Sequence, residues 1–188
     1  MHPPPPPVPL PEANDGTSRA QLRLILQRIV YVMRRLATPP AELLDGRYHE
    51  SALAAVNELE EKIARAGGWL ALVPDVPSPN GPSLEQHGLS GPEWVLKFQA
   101  FDHQFQLFLD RMAQLESVVA SVSARVTEIE VADFKARVRG ARDTSRAVLE
   151  HGEPILESAA KVIPGGEYVL GSIKEMIGIF KGLVYWGA

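Results

Sequence analysis

Apolar positions along this chain recur at steps of three and four residues, the period of an α-helix, in almost every segment that carries them. Leu22, Ile25, Ile29, Met33 and Leu36 form the first run, between Ser18 and Thr38. Ser18 and Gln21 stand at capping-box spacing before it, and Thr38-Pro39-Pro40 stops it. A short turn, AELLDG, leads to a second helix over roughly Arg47 to Ala66, with Ala52, Val56, Leu59 and Ile63 inward and Gly67-Gly68 as its stop. Trp69 to Val73 has the local pattern of a strand, but no second strand exists to pair with it, which predicts an apolar loop packed under the helices. Pro74 to Pro92 is rich in proline, glycine and serine and predicts a long surface connection.

The strongest run starts at a second capping-box spacing, Ser90 to Glu93. Trp94, Phe98, Phe101, Phe105, Phe108, Met112, Leu115, Val119, Val122, Val126 and Ile129 alternate steps of four and three, which holds them on one helix face as an a/d seam. Phe134, Val138, Ala141, Val148, Ile155, Ala159 and Val162 follow in a second register. Neither proline nor glycine lies between Glu93 and Arg139, so the pattern favours one continuous helix over a bend near Glu130 to Asp133. Continued to about Glu150, such a rod measures on the order of 90 Å at 1.5 Å per residue. Pro154 is expected to restart or kink the chain, and Pro164-Gly165-Gly166 to end the helix.

From Tyr168 to Trp186 the apolar residues Val169, Leu170, Ile173, Met176, Ile177, Phe180 and Val184 share one side of a helix, with Lys174, Glu175 and Lys181 on the other. Gly171, Gly178 and Gly182 cluster on the polar side within about 40°. A glycine inside a helix costs roughly 1 kcal/mol against alanine, so the stripe predicts the close approach of another helix. The charged residues interrupt the tail well short of the ~20 apolar residues needed to span a bilayer, so it could lie on a membrane or enter one within an oligomer, but not span alone. Together the elements predict an all-α antiparallel helical bundle with one very long helix and a C-terminal amphipathic helix over 165–188. This single domain, residues 17–188, follows a disordered proline-rich tail, residues 1–16 (MHPPPPPVPLPEANDG), with nothing to bury.

Charge changes this picture in one place. The net charge is -4, which argues against a nucleic-acid partner. The first helix nevertheless carries Arg19, Arg23, Arg28, Arg34 and Arg35 and no acid, beside an acidic second helix. These arginines read either as a surface for an anionic membrane or as partners of neighbouring acids across the bundle. There are no cysteines, so disulfides, thiolate metal sites and cysteine nucleophiles are excluded, and the N-terminal stretch has no signal-peptide pattern; both point to the cytoplasm.

Catalytic chemistry does not emerge from the motifs. Ser158-Ala159-Ala160-Lys161 matches S-x-x-K but lacks the partner motifs that give it meaning. Gly166 to Gly171 has the glycine spacing of a phosphate loop, but Ser172 stands where lysine is required. His2, His49, His87, His103 and His151 are scattered, so neither a metal nor a cofactor is expected. Asp102-His103 reads as the wet edge of the seam, and Glu58, Glu60 and Glu61 as a solvated face. The phenylalanine stripe Phe98, Phe101, Phe105 and Phe108 reads as core rather than as a ligand pocket.

The order of a basic first helix, a short turn, ALAAVNELEEKIARAGGWLALV, a loop and WVLKFQAFDHQFQLFLDRMAQL resembles the N-terminal helical-bundle domains of cell-death proteins. These are the mixed-lineage-kinase-like pseudokinase, fungal HeLo-type proteins and related plant immune receptors. The resemblance covers roughly Ser18 to Leu115, and ILESAAKVIPGGEYVLGSIKEMIGIF is similar to amphipathic stretches of the fungal members. It implies a non-enzymatic bundle that oligomerises and acts on membranes when triggered, or one that serves as an adaptor. Two other expectations stand beside it: a soluble scaffold for a helical partner or a proline-reading module, and a component of an α-helical pore-forming toxin.

Overall fold

The computed structural model describes residues 9–11, 15–38, 43–121, 128–163 and 166–185. Among them are six α-helices and no strand: α1 Ser18–Ala37, α2 His49–Arg65, α3 Trp69–Leu72, α4 Gly91–Ser121, α5 Glu128–Ala160 and α6 Glu167–Tyr185. The fold is the all-α bundle that the periodicity predicts. The proline-rich tail lies mostly outside the described residues, as do Pro39-Pro40, Val122, Val126, Pro164-Gly165 and Trp186.

α1 is the axis of the bundle. Its predicted inward positions Leu22, Ile25, Ile29, Met33 and Leu36 are buried with Leu26 beside them, but so are Val30 and Val32 on its flanks and Leu24 opposite. A helix apolar all round is covered all round, and α1 packs against α2, α3, α4, α5 and α6. Its cap is Thr17, one residue before the predicted Ser18: the Thr17 hydroxyl accepts from the Ala20 amide at 3.1 Å. Gln21 is not part of a capping box. Its side-chain oxygen instead accepts from Trp94 Nε1 at 2.8 Å, tying the start of α1 to the start of α4.

α2 buries Ala52, Val56, Leu59 and Ile63 as predicted, after a 3-10 turn over Gly46–Tyr48. It ends where Gly67 takes a φ of 98°, a left-handed conformation that a side chain resists. The stretch expected as a loop from Trp69 to Val73 forms the single helical turn α3, whose Leu72 and Val73 face the core. Its first carbonyls are satisfied within the turn, since the Val73 amide donates to the Trp69 carbonyl at 2.8 Å. The connection onward to α4 contains a 3-10 turn over Glu85–His87 and buries Leu89.

The predicted rod is two helices. Phe101 of α4 lies beside Gly152 of α5, and Arg111 beside Gly140, so α4 and α5 run antiparallel and pack along their lengths. Burial follows from this hairpin: Trp94, Phe98, Phe101, Phe105, Phe108, Met112 and Leu115 are core, and on the returning helix so are Val138, Ala141, Val148, Ile155, Ala159 and Val162. The two registers are therefore the facing seams of two helices, and the offset between them is not a phase shift within one. Between Leu115 and Val138 no described side chain is buried; Val119, expected in the seam, is 39% exposed. The hairpin thus runs on past the core. Pro154 lies inside α5 without ending it.

Two glycines of α5 mark where helices come closest. A methyl group on Gly152 would sit 2.6 Å from Ile29 Cδ1 and 3.3 Å from Phe101 Cε2, which places α1, α4 and α5 in mutual contact there. α6 closes the bundle antiparallel to α5 and beside α2, burying Val169, Leu170, Ile173, Met176, Ile177, Phe180 and Val184.

Candidate functional site

Four of the five arginines named on α1 are engaged by other elements of the bundle. Arg23 is 7% exposed; its Nη1 donates to the Val73 carbonyl at 2.8 Å and its Nη2 to Asp75 at 2.8 Å. Arg28 pairs with Asp102 of α4 and lies over the Phe105 ring, 4.5 Å from its centre, with Tyr31 edge-on to the same ring at 5.9 Å. Arg34 donates to Asn57 at 2.7 Å and to Glu60 at 2.8 Å on α2, and Arg35 pairs with Glu116 of α4. Arg19 is half-buried. Of the two readings of these arginines, pairing with neighbouring acids describes Arg23, Arg28, Arg34 and Arg35.

The tail helix is likewise turned inward. Ile173, Met176, Ile177, Phe180 and Val184 are core residues here. Two ion pairs hold α6 on α5, Lys174 to Glu157 at 2.8 Å and Lys181 to Glu153 at 2.5 Å, and Lys62 of α2 donates to the Ser172 hydroxyl at 3.2 Å. The Lys174 ammonium holds the Glu157 carboxyl below its ordinary range, and Glu157 in turn raises Lys174.

Gly171, Gly178 and Gly182 are brought to one exposed face, as predicted, but among the described residues no helix approaches them: a methyl on any of the three would meet nothing described within 4 Å. Tyr168, 69% exposed, and Ile179, 52% exposed, lie on the same side of α6, and Glu175 is its one charge between them. This face lies between α2 and α5, the two helices that flank α6.

A basic surface does exist, on a helix the charge reading overlooked. Lys135 to Arg146, KARVRGARDTSR, holds five basic residues and one acid in a chain whose net charge is -4. Lys135, Arg139, Arg142 and Arg146 stand at i, i+4, i+7 and i+11, within about 60° on the helix. Lys135 and Arg139 are exposed; Arg142 and Arg146 are half-exposed, the former donating to the Leu43 carbonyl at 3.2 Å and the latter pairing with Glu150. The signal was legible as a heptad-like spacing of bases, but it is hidden beneath the apolar seam of the same helix.

Among the described residues, no three His, Asp or Glu side chains are grouped to hold a metal ion, and no helix is long and apolar enough to cross a membrane. Comparison with known proteins finds no matching family model, no similar curated protein and no similar solved structure.

Proposed function

We propose that this chain is a non-enzymatic helical module that works by association, an oligomerising or adaptor domain whose outward contacts are made helix to helix. The observation that carries the reading is the outer face of α6. Three interior glycines weaken that helix by roughly 1 kcal/mol each, none of the described residues uses the space they leave, and two large apolar side chains are exposed beside them. Close packing of another helix on such a face would recover that cost. The resemblance to helical-bundle cell-death domains agrees with signalling by assembly.

A membrane-active form of the same reading draws little from α1, because Arg23, Arg28, Arg34 and Arg35 are engaged within the bundle. It would instead require α6 to leave its seat, since the apolar face that could enter a bilayer is core. Light scattering on the full chain, with Gly178→Leu and Gly182→Leu as variants, tests the proposal. Wild type is expected to assemble with concentration and the variants to assemble less while keeping their helical spectrum, since no described residue stands within 4 Å of either position. A wild-type chain that stays monomeric at every concentration would refute it. Flotation with anionic vesicles addresses the membrane form, for which the docked bundle is expected to show none.

A further inference from the structure

The exposed charges of this bundle are segregated by helix, and two of the segregated faces have the same length and opposite sign. On α5, Lys135 and Arg146 span 11 residues, about 16 Å of helix, with Arg139 and Arg142 between them. On α2, Glu50 and Glu61 also span 11 residues on one exposed side, with Glu58 nearby. No ion pair engages Lys135, Arg139, Glu50 or Glu61 among the described residues, whereas Arg23, Arg28, Arg34 and Arg35 of α1 and both lysines of α6 are paired.

The α5 face has a second property. Lys135 and Arg139 precede Glu153 and Glu157 by 18 residues each, five full helical turns, so all four lie on one line along α5. The acidic half of that line is where α6 docks, through its lysines. The basic half continues the same helix-binding face beyond the last described turn of α6, with the charge reversed. A helix that takes this continuation must therefore carry acids where α6 carries lysines.

We propose that the acidic outer face of α2 from a second copy of this chain docks on the basic half of α5, by Glu50, Glu58 and Glu61 meeting Lys135, Arg139 and the arginines behind them. The inference rests on the assembly reading above and names its polar contact. Because one face is on α2 and the other on α5, each copy donates one and accepts one, so the contact is heterologous and propagates into rings or chains unless its rotation closes it as a dimer. Exposed ion pairs are individually weak and screened by salt, so the contact is weak and salt-sensitive.

Sedimentation equilibrium of the full chain at about 20 mM and about 500 mM salt, where screening is slight and strong, is the first test. Self-association is expected at low salt and should weaken roughly tenfold or more at high salt. The variants Lys135→Glu/Arg139→Glu and Glu50→Lys/Glu61→Lys should each lose self-association, with unchanged circular dichroism because all four side chains are exposed. A mixture of the two variants should associate again, since the acidic α5 of one then meets the basic α2 of the other. Variants that assemble as wild type does would overturn this contact and leave the assembly reading standing. A wild type that is monomeric throughout removes both. Loss of anionic-vesicle flotation in Lys135→Glu/Arg139→Glu without any self-association of wild type would assign the strip to a lipid surface and overturn the second copy as its occupant.

Discussion

In α1, Arg23, Arg28, Arg34 and Arg35 each end on a carboxylate or carbonyl of another element, whereas on α5 Lys135 and Arg139 face solvent. Both helices are rich in arginine and both carry apolar seams. The difference lies in what surrounds them: α1 is packed by five helices, and its long side chains reach acids on α2 and α4 and, from Arg23, Asp75 after α3. The first half of α5 packs on its hairpin partner α4 and, through Arg142, on Leu43, while among the described residues Lys135 and Arg139 stay exposed. The lesson is that a basic stretch acquires its role from the number of neighbours around its helix, not from its charge density.

The contrast can be broken hardest where the two helices meet. Gly152→Val places two methyl-bearing branches against Ile29 and Phe101, and should cost on the order of 3 kcal/mol by overpacking, read from urea denaturation. Arg28→Ala removes an ion pair and a cation-π contact from a mostly buried guanidinium, for an expected loss of about 1–3 kcal/mol. The same measurement on Arg139→Ala should stay within about 0.5 kcal/mol. Equal costs for the two arginines would erase the distinction between an inward and an outward basic helix. Gly178→Ala should stabilise the bundle by up to ~1 kcal/mol through helix propensity alone, because its methyl meets no described residue; a loss would mean that the outer face of α6 is occupied within the chain.

The smallest effect concerns the seat of α6. The carboxyl of Glu157 is depressed below its ordinary 4.5 by Lys174, so the pair's contribution is present above that value and is lost as pH falls through the depressed one. Thermal midpoints of wild type and Glu157→Gln should therefore differ slightly at neutral pH and converge in acid, once the pH has fallen below the depressed value. A difference that persists in acid would show that the residue acts through packing and not through its charge.

Much of the fold was legible. Trp94 to Leu115, Val138 to Val162 and the inward set of α6 were all named from their spacing and are all buried, because apolar periodicity and burial have the same physical origin. The reversal between α4 and α5 was not legible. A hairpin and a continuous rod share the same heptad-like pattern, and the chain between Ser121 and Glu128 carries none of the glycine or proline that usually marks a turn. Pro154, expected to restart or kink the chain, does not end α5. The candidate surface was half legible: the glycines do share one face, but that they look onto open space, and that the basic face belongs to α5, needed the positions of the neighbouring helices.

The sequence by itself determined that the chain is helical and which positions of α2, α4, α5 and α6 turn inward, because those depend on interactions within a few residues along the chain. Only the tertiary structure decided that α1 is packed by five helices, that four of its arginines are engaged within the bundle, and that the outward faces are the acids of α2, the glycines of α6 and the bases of α5. Which side of a helix meets water depends on how many others pack around it, and that number is set by contacts between residues far apart in the chain.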